Sequence, residues 1–189
     1  MRECITKHRK AVIAIGLIML TGIAFIAGQY QLKGRQVILK MLLYRMGNEH
    51  YLFELTRNGM LKVTFGDLAD FDDPNSFVQI RETGSVTITT QQFSELDQMM
   101  EAIKKDVKPG YIPSMIGRTG GWDVSICMGE NVTSMKKDTY RFQLGISEDE
   151  RMEKIVSKLM EYAPIEMPFD HQSILNVKDE AIKQLLELK

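Results

Sequence analysis

The residues best equipped for chemistry lie in one short stretch, residues 114–126, SMIGRTGGWDVSI. Glycines let backbone N–H groups approach a phosphate, an arginine forks two hydrogen bonds onto it, and an indole offers a face for stacking. Arg118 and Trp122 are therefore the candidate ligand-facing pair. The surrounding pattern favours a plain turn over a phosphate cradle. A P-loop requires GxxxxGK[ST] between a strand and a helix, and a dinucleotide fingerprint also needs a helix N-terminus at the pyrophosphate. Here Gly120 and Gly121 lead into WDVSICM, residues 122–128, whose alternation reads as a strand. No helix dipole faces an anion from this loop. The Gly-Gly pair supplies backbone freedom for a turn, and Trp122 opens the strand.

Other candidate clusters fail their own chemistry. Asp67, Asp70, Asp72, Asp73 and Asn75 could offer oxygen ligands to calcium. An EF-hand loop needs an oxygen ligand at its fifth position, a glycine at its sixth and a glutamate at its twelfth. Counted from Asp70, those positions fall on Pro74, Asn75 and Arg81. The run reads as a solvated acidic loop with a Pro-Asn turn. His8, His50 and His171 have no H-x-x-x-H spacing for zinc. GxSxG is missing, and no Cys–His pairing can be argued from Cys4 and Cys127. Several of the 13 methionines lie at helical spacing on the expected helices and read as core filling. Asn131-Val132-Thr133 matches a glycosylation sequon, which matters only in a eukaryotic secretory pathway. The expectation is no catalytic constellation, no metal and no cofactor.

These residues must be positioned by a domain that follows an apolar segment. Residues 11–28, AVIAIGLIMLTGIAFIAG, carry no charge. As a helix they would rise roughly 27 Å, enough to cross a hydrocarbon core. Gln29 and Tyr30 mark the exit. A cleaved signal peptide fits less well: the best small-x-small site, Gly22-Ile23-Ala24, lies inside the apolar run, with no polar region before it. The expected organisation is a basic tail (1–10), a single transmembrane signal-anchor (11–30) and a juxtamembrane linker or short helix (31–50). An α+β domain (51–163) and a tail with a short amphipathic helix (164–189) follow. Arg2, Lys7, Arg9 and Lys10 before the span are matched in number by Lys33, Arg35, Lys40 and Arg45 after it. The first set is denser and nearer the membrane, and a long C-terminal region translocates largely regardless of charge, which places the N-terminus in the cytoplasm and the domain outside the plasma membrane. Without the four basic residues before the span and Glu3, residues 31–189 hold 20 of the chain's 24 Lys+Arg and 24 of its 25 Asp+Glu, a net charge of −4. A mildly acidic domain argues against nucleic acid. Cys4 and Cys127 would lie on opposite sides of the membrane, so no disulfide is expected and Cys127 reads as a small buried side chain.

Within the domain, YLFELTRNGMLKVTFG (51–66) is two alternating runs around Arg57-Asn58-Gly59, a strong hairpin signal. Residues 77–80 suggest a short extended piece, and SVTIT (85–89) a strand running into a helix. Thr89 and Gln92 form that helix's capping box, with Phe93, Leu96, Met99, Met100 and Ile103 inward. Strands follow at 122–128 and 139–146. Ser147 to Glu150 reads as a second capping box, opening a helix with Met152, Ile155, Val156, Leu159 and Met160 inward. Pro164 stops it. The predicted fold is α+β: a mostly antiparallel sheet with helices packed on one face.

In layout the chain resembles the small single-pass proteins that bacteria display outside the plasma membrane, a likeness covering the anchor and domain size only. The function expected is a membrane-anchored, non-catalytic, extracytoplasmic domain that binds a partner protein or an envelope component. The alternatives are an accessory subunit of a membrane complex and, behind it, an enzyme with a site around Arg118, Trp122 and the acidic loop.

Overall fold

The computed structural model describes residues 33–45, 49–69, 76–108, 122–133, 135, 139–144 and 149–167. The chain divides into two units, Met1–Gln36 and Val37–Lys189. Among the described residues no helix is long and apolar enough to cross a membrane; the apolar run 11–28 lies outside them, as do the amphipathic tail helix and most of the acidic loop.

The second unit is built on six strands: β1 (Val37–Arg45), β2 (Glu49–Thr56), β3 (Met60–Leu68), β4 (Phe77–Thr87), β5 (Asp123–Met128) and β6 (Thr139–Gln143). Helix α1 (Thr90–Asp106) separates β4 from β5, and α2 (Glu150–Glu161) follows β6. The sheet order is β4-β3-β2-β1-β5-β6, and every neighbouring pair is antiparallel. The expected α+β class with helices on one face is what forms. Leu39, Met41 and Leu43 of β1, Tyr51, Phe53 and Leu55 of β2, Leu61 and Val63 of β3, and Val124, Ile126 and Met128 of β5 form one core cluster with the buried residues of both helices.

Local signals place these elements. Gly59 sits at φ 82, and its N–H donates to the Thr56 carbonyl at 2.9 Å, closing the β2–β3 turn. Only glycine takes that backbone region without strain. Thr89 accepts from the Gln92 N–H while the Gln92 side chain accepts from the Thr89 N–H, so the α1 capping box is complete. Leu96, Met100 and Ile103 then turn inward at the 3.6-residue period.

Three expectations need correction. Residues 37–45 are not a juxtamembrane helix; they form β1, with β2 on one side and β5 on the other. A strand buried on both faces reads as a nearly continuous apolar run, which blurs its alternation. Residues 77–80 and 85–89 are not separate pieces: 77–87 is one strand, interrupted by irregular pairing near Arg81 and Val78. Finally, the N-cap of α2 is Asp149, not Ser147, because the Asp149 carboxylate accepts from the Arg151 N–H at 2.9 Å.

Candidate interaction surface

The candidate pair Arg118 and Trp122 is only half visible, since Arg118 lies outside the described residues. Trp122 immediately precedes β5, half-buried, with its ring 5.9 Å from Tyr51 at a 59° tilt. Tyr51 in turn stacks on Phe65 at 4.5 Å. Arg81 lies over the Phe65 ring at 5.4 Å and forks onto both oxygens of Asp67, at 2.8 and 3.1 Å. The expected acidic-loop member Asp67 is thus tied to an arginine. Burial pushes the Tyr51 hydroxyl pKa up, with Glu49 adding to it. This row of rings closes one end of the helix-side core; Trp122 is its last member.

The other face of the sheet carries polar residues that the sequence did not flag. Pairing aligns Thr139, Cys127, Lys40, Glu54, Lys62 and Ser85 in one row across all six strands. The Lys40 ammonium lies 3.0 Å from one Glu54 oxygen, with only 6% of the Lys40 side chain exposed, and Lys62 lies 3.8 Å from the other oxygen. Cys127 packs as expected, in a small apolar cluster with Leu42, Leu52, Val132 and Met135. His50 is buried beside Tyr44, whose ring stacks at 6.5 Å, and its Nδ1 lies 3.3 Å from the Gly66 carbonyl oxygen. Burial holds its pKa below the usual histidine value. Among the described residues no three His, Cys, Asp or Glu side chains group as metal ligands.

The feature that offers most to another molecule is the edge of the sheet. β4 has β3 on one side and, among the described residues, no hydrogen-bonded strand on the other. Apart from Phe77 and Gly84, all its residues are exposed, Val78 at 74% and Ile80 at 60%. Its two halves differ. In the first, pairing steps from Glu82–Phe65 to Ile80–Gly66, leaving Arg81 as an extra residue, and a second irregularity follows near Val78. Gly66 permits this, since a Cβ there would run into the Gln79 carbonyl. Bulges and charges are what proteins use to guard an open edge. In the second half, residues 83–87, TGSVT, pair regularly with Met60 to Thr64 and carry no charge.

The backbone direction of that half follows from one bond. The Ile88 N–H donates inward to the Gly59 carbonyl at 3.0 Å. Antiparallel alternation then turns the N–H and C=O groups of Thr87, Ser85 and Thr83 outward. On the helix side, Gly84 is roofed by Pro164 and Ile165; a Cβ on Gly84 would lie 2.7 Å from Ile165 Cγ2. Sequence reasoning missed this surface because exposure of a strand edge depends on the order of strands in the sheet, which no local pattern encodes. No family model matches the chain, and no curated protein matches it.

Proposed function

We propose that this chain is a membrane-anchored, non-catalytic domain, held outside the plasma membrane, that binds a partner protein or envelope component along the edge of its sheet. The observation carrying this reading is β4: an edge strand whose second half, residues 83–87, pairs regularly with β3, carries no charge and is exposed apart from Gly84. Such an edge is a ready template for strand addition, in which main-chain hydrogen bonds supply affinity and alternate side chains supply selectivity. The uncharged run 11–28 supports the anchor, and the basic residues before it support the orientation.

Two experiments test the reading. Lys178→Cys, with Cys4→Ser and Cys127→Ser, is exposed to a membrane-impermeant thiol reagent in intact cells. Labelling is expected without lysis; labelling only after lysis overturns the topology and favours the accessory-subunit alternative. For binding, the full chain is recovered from detergent-solubilised membranes after crosslinking. No protein above background in those eluates would overturn the partner-binding reading.

A further inference from the structure

We infer that the partner of the β4 edge is a second copy of this chain, paired antiparallel through residues 83–87 about a two-fold axis at Ser85. The assignment rests on reading β4 as a binding edge. Three observations select the occupant. First, the two halves of β4 are treated differently. The half containing Arg81 and Glu82 is bulged and charged, while residues 83–87 are regular, uncharged and open. An edge guarded over only part of its length leaves one segment able to accept a strand.

Second, the outward backbone groups match themselves. With the axis at Ser85, Ser85 faces Ser85 and Thr83 faces Thr87 of the second copy. These are the residues whose N–H and C=O groups point outward, as the inward Ile88–Gly59 bond dictates. Each of the three can both donate and accept across the axis.

Third, the side chains match on both faces. Thr83 pairs with Thr64 and Ser85 with Lys62, so Thr83, Ser85 and Thr87 share the face away from the helices. Across the axis they form hydroxyl pairs, a favourable cross-strand combination. On the helix side, Val86 pairs with Leu61 and Gly84 with Val63. Val86, more than a third exposed, faces Gly84 of the second copy, whose missing side chain is replaced by the apolar Pro164 and Ile165 roof, so Val86 would meet that roof at its rim. No like charges face each other within the segment. Extending the sheet this way about an axis normal to it keeps both sets of helices on the same side.

The geometry dictates the test, made on the full chain in membranes and in mild detergent. A photo-crosslinking residue replaces Ser85, with Gln79 as the control position beyond the bulge. The expected product is a covalent dimer of this chain from position 85 and much less from 79. A product of another mass would overturn self-pairing and leave the binding-edge reading standing; no product from either position would overturn both. Ser85→Pro removes an outward N–H that the β3 ladder does not use, so the monomer should fold with unchanged Trp122 emission while dimer affinity falls at least about tenfold. A charge exchange keeps the proposal falsifiable should Pro disturb the fold. Thr83→Lys with Thr87→Lys sets lysine against lysine and should abolish the dimer; Thr83→Lys with Thr87→Glu should restore it. Equal dimerisation of the two double variants would overturn the register.

Discussion

Replacing Glu54 with Leu should destabilise this domain more than replacing Lys40, the residue it neutralises. The two charges lie 3.0 Å apart on the sheet face away from the helices, Lys40 with 6% of its side chain exposed and Glu54 with 18%. Removing one member of a buried pair leaves an uncompensated charge and costs roughly 3–5 kcal/mol. Glu54 keeps some contact with solvent and the Lys40 stem is flexible, so Glu54→Leu should fall at the low end, about 3 kcal/mol. Lys40→Met strands a less buried carboxylate that still has Lys62 at 3.8 Å, so its cost should be nearer 1 kcal/mol. The double variant replaces both charges with apolar side chains and should recover most of the Glu54→Leu loss. The assay is urea unfolding of the full chain in mild detergent, followed by the emission of Trp122, the only tryptophan, which sits against Tyr51 in the core. With an m-value of roughly 2 kcal/mol per M, the Glu54→Leu midpoint should fall by about 1.5 M. If Glu54→Leu costs no more than Lys40→Met, or if the double variant is no better than Glu54→Leu, Lys40 does not depend on Glu54 and the reasoning fails.

Gly84→Ala should destabilise by about 1–2 kcal/mol although alanine normally suits a strand better than glycine, because the new Cβ meets Ile165 Cγ2; a raised melting temperature would show that Pro164 and Ile165 are not held there. The His50 pKa is lowered by burial, so the unfolded chain binds the extra proton. Stability should therefore be full above the unfolded value of about 6.5 and fall as pH drops below it, a slope that should flatten in His50→Gln when unfolding is measured between pH 7.5 and 5.5. Arg151 binds the Asp149 cap of α2, and through Nη1 it reaches Asp106 at the end of α1 at 2.7 Å, holding the Asp149 carboxyl below the ordinary carboxylate range. Arg151→Met should lower the thermal midpoint, and salt near 1 M should shrink the difference, since these charges are partly exposed.

What could be read from the chain was what a few neighbouring residues decide. The Gly59 turn, the Thr89–Gln92 cap and the inward positions of both helices are set within four residues, so local pattern suffices. The strand at Asp123–Met128 was legible for the same reason: Val124, Ile126 and Met128 alternate cleanly toward the helices. The capping box at Ser147 was misplaced by two residues because Asp149 can cap as well as serine can and also engages Arg151. β1 was lost to a helix reading because both of its faces are buried, which removes the period-2 signal. The Lys40–Glu54 pair could not be foreseen at all. Its members meet because β1 and β2 pair in one register, and a one-residue slip would send each to the opposite face.

The same distinction explains why the proposed binding reading rests on the sheet edge. The helix-side face is closed by α1 and α2, and Trp122 is packed at its end. On the opposite face, the Lys40, Glu54 and Lys62 charges are committed to each other. The outward groups of Thr83, Ser85 and Thr87 lose nothing in the monomer, because water satisfies them; pairing therefore gains little per bond and the isolated contact is weak. Confinement changes that balance. On the anchored reading proposed above, two copies held on one membrane would meet at a higher effective concentration than in dilute solution, which favours a contact too weak to persist there. If the first 36 residues anchor the chain as proposed, detaching residues 37–189 from them should lower the yield of covalent dimer from a photo-crosslinker at position 85.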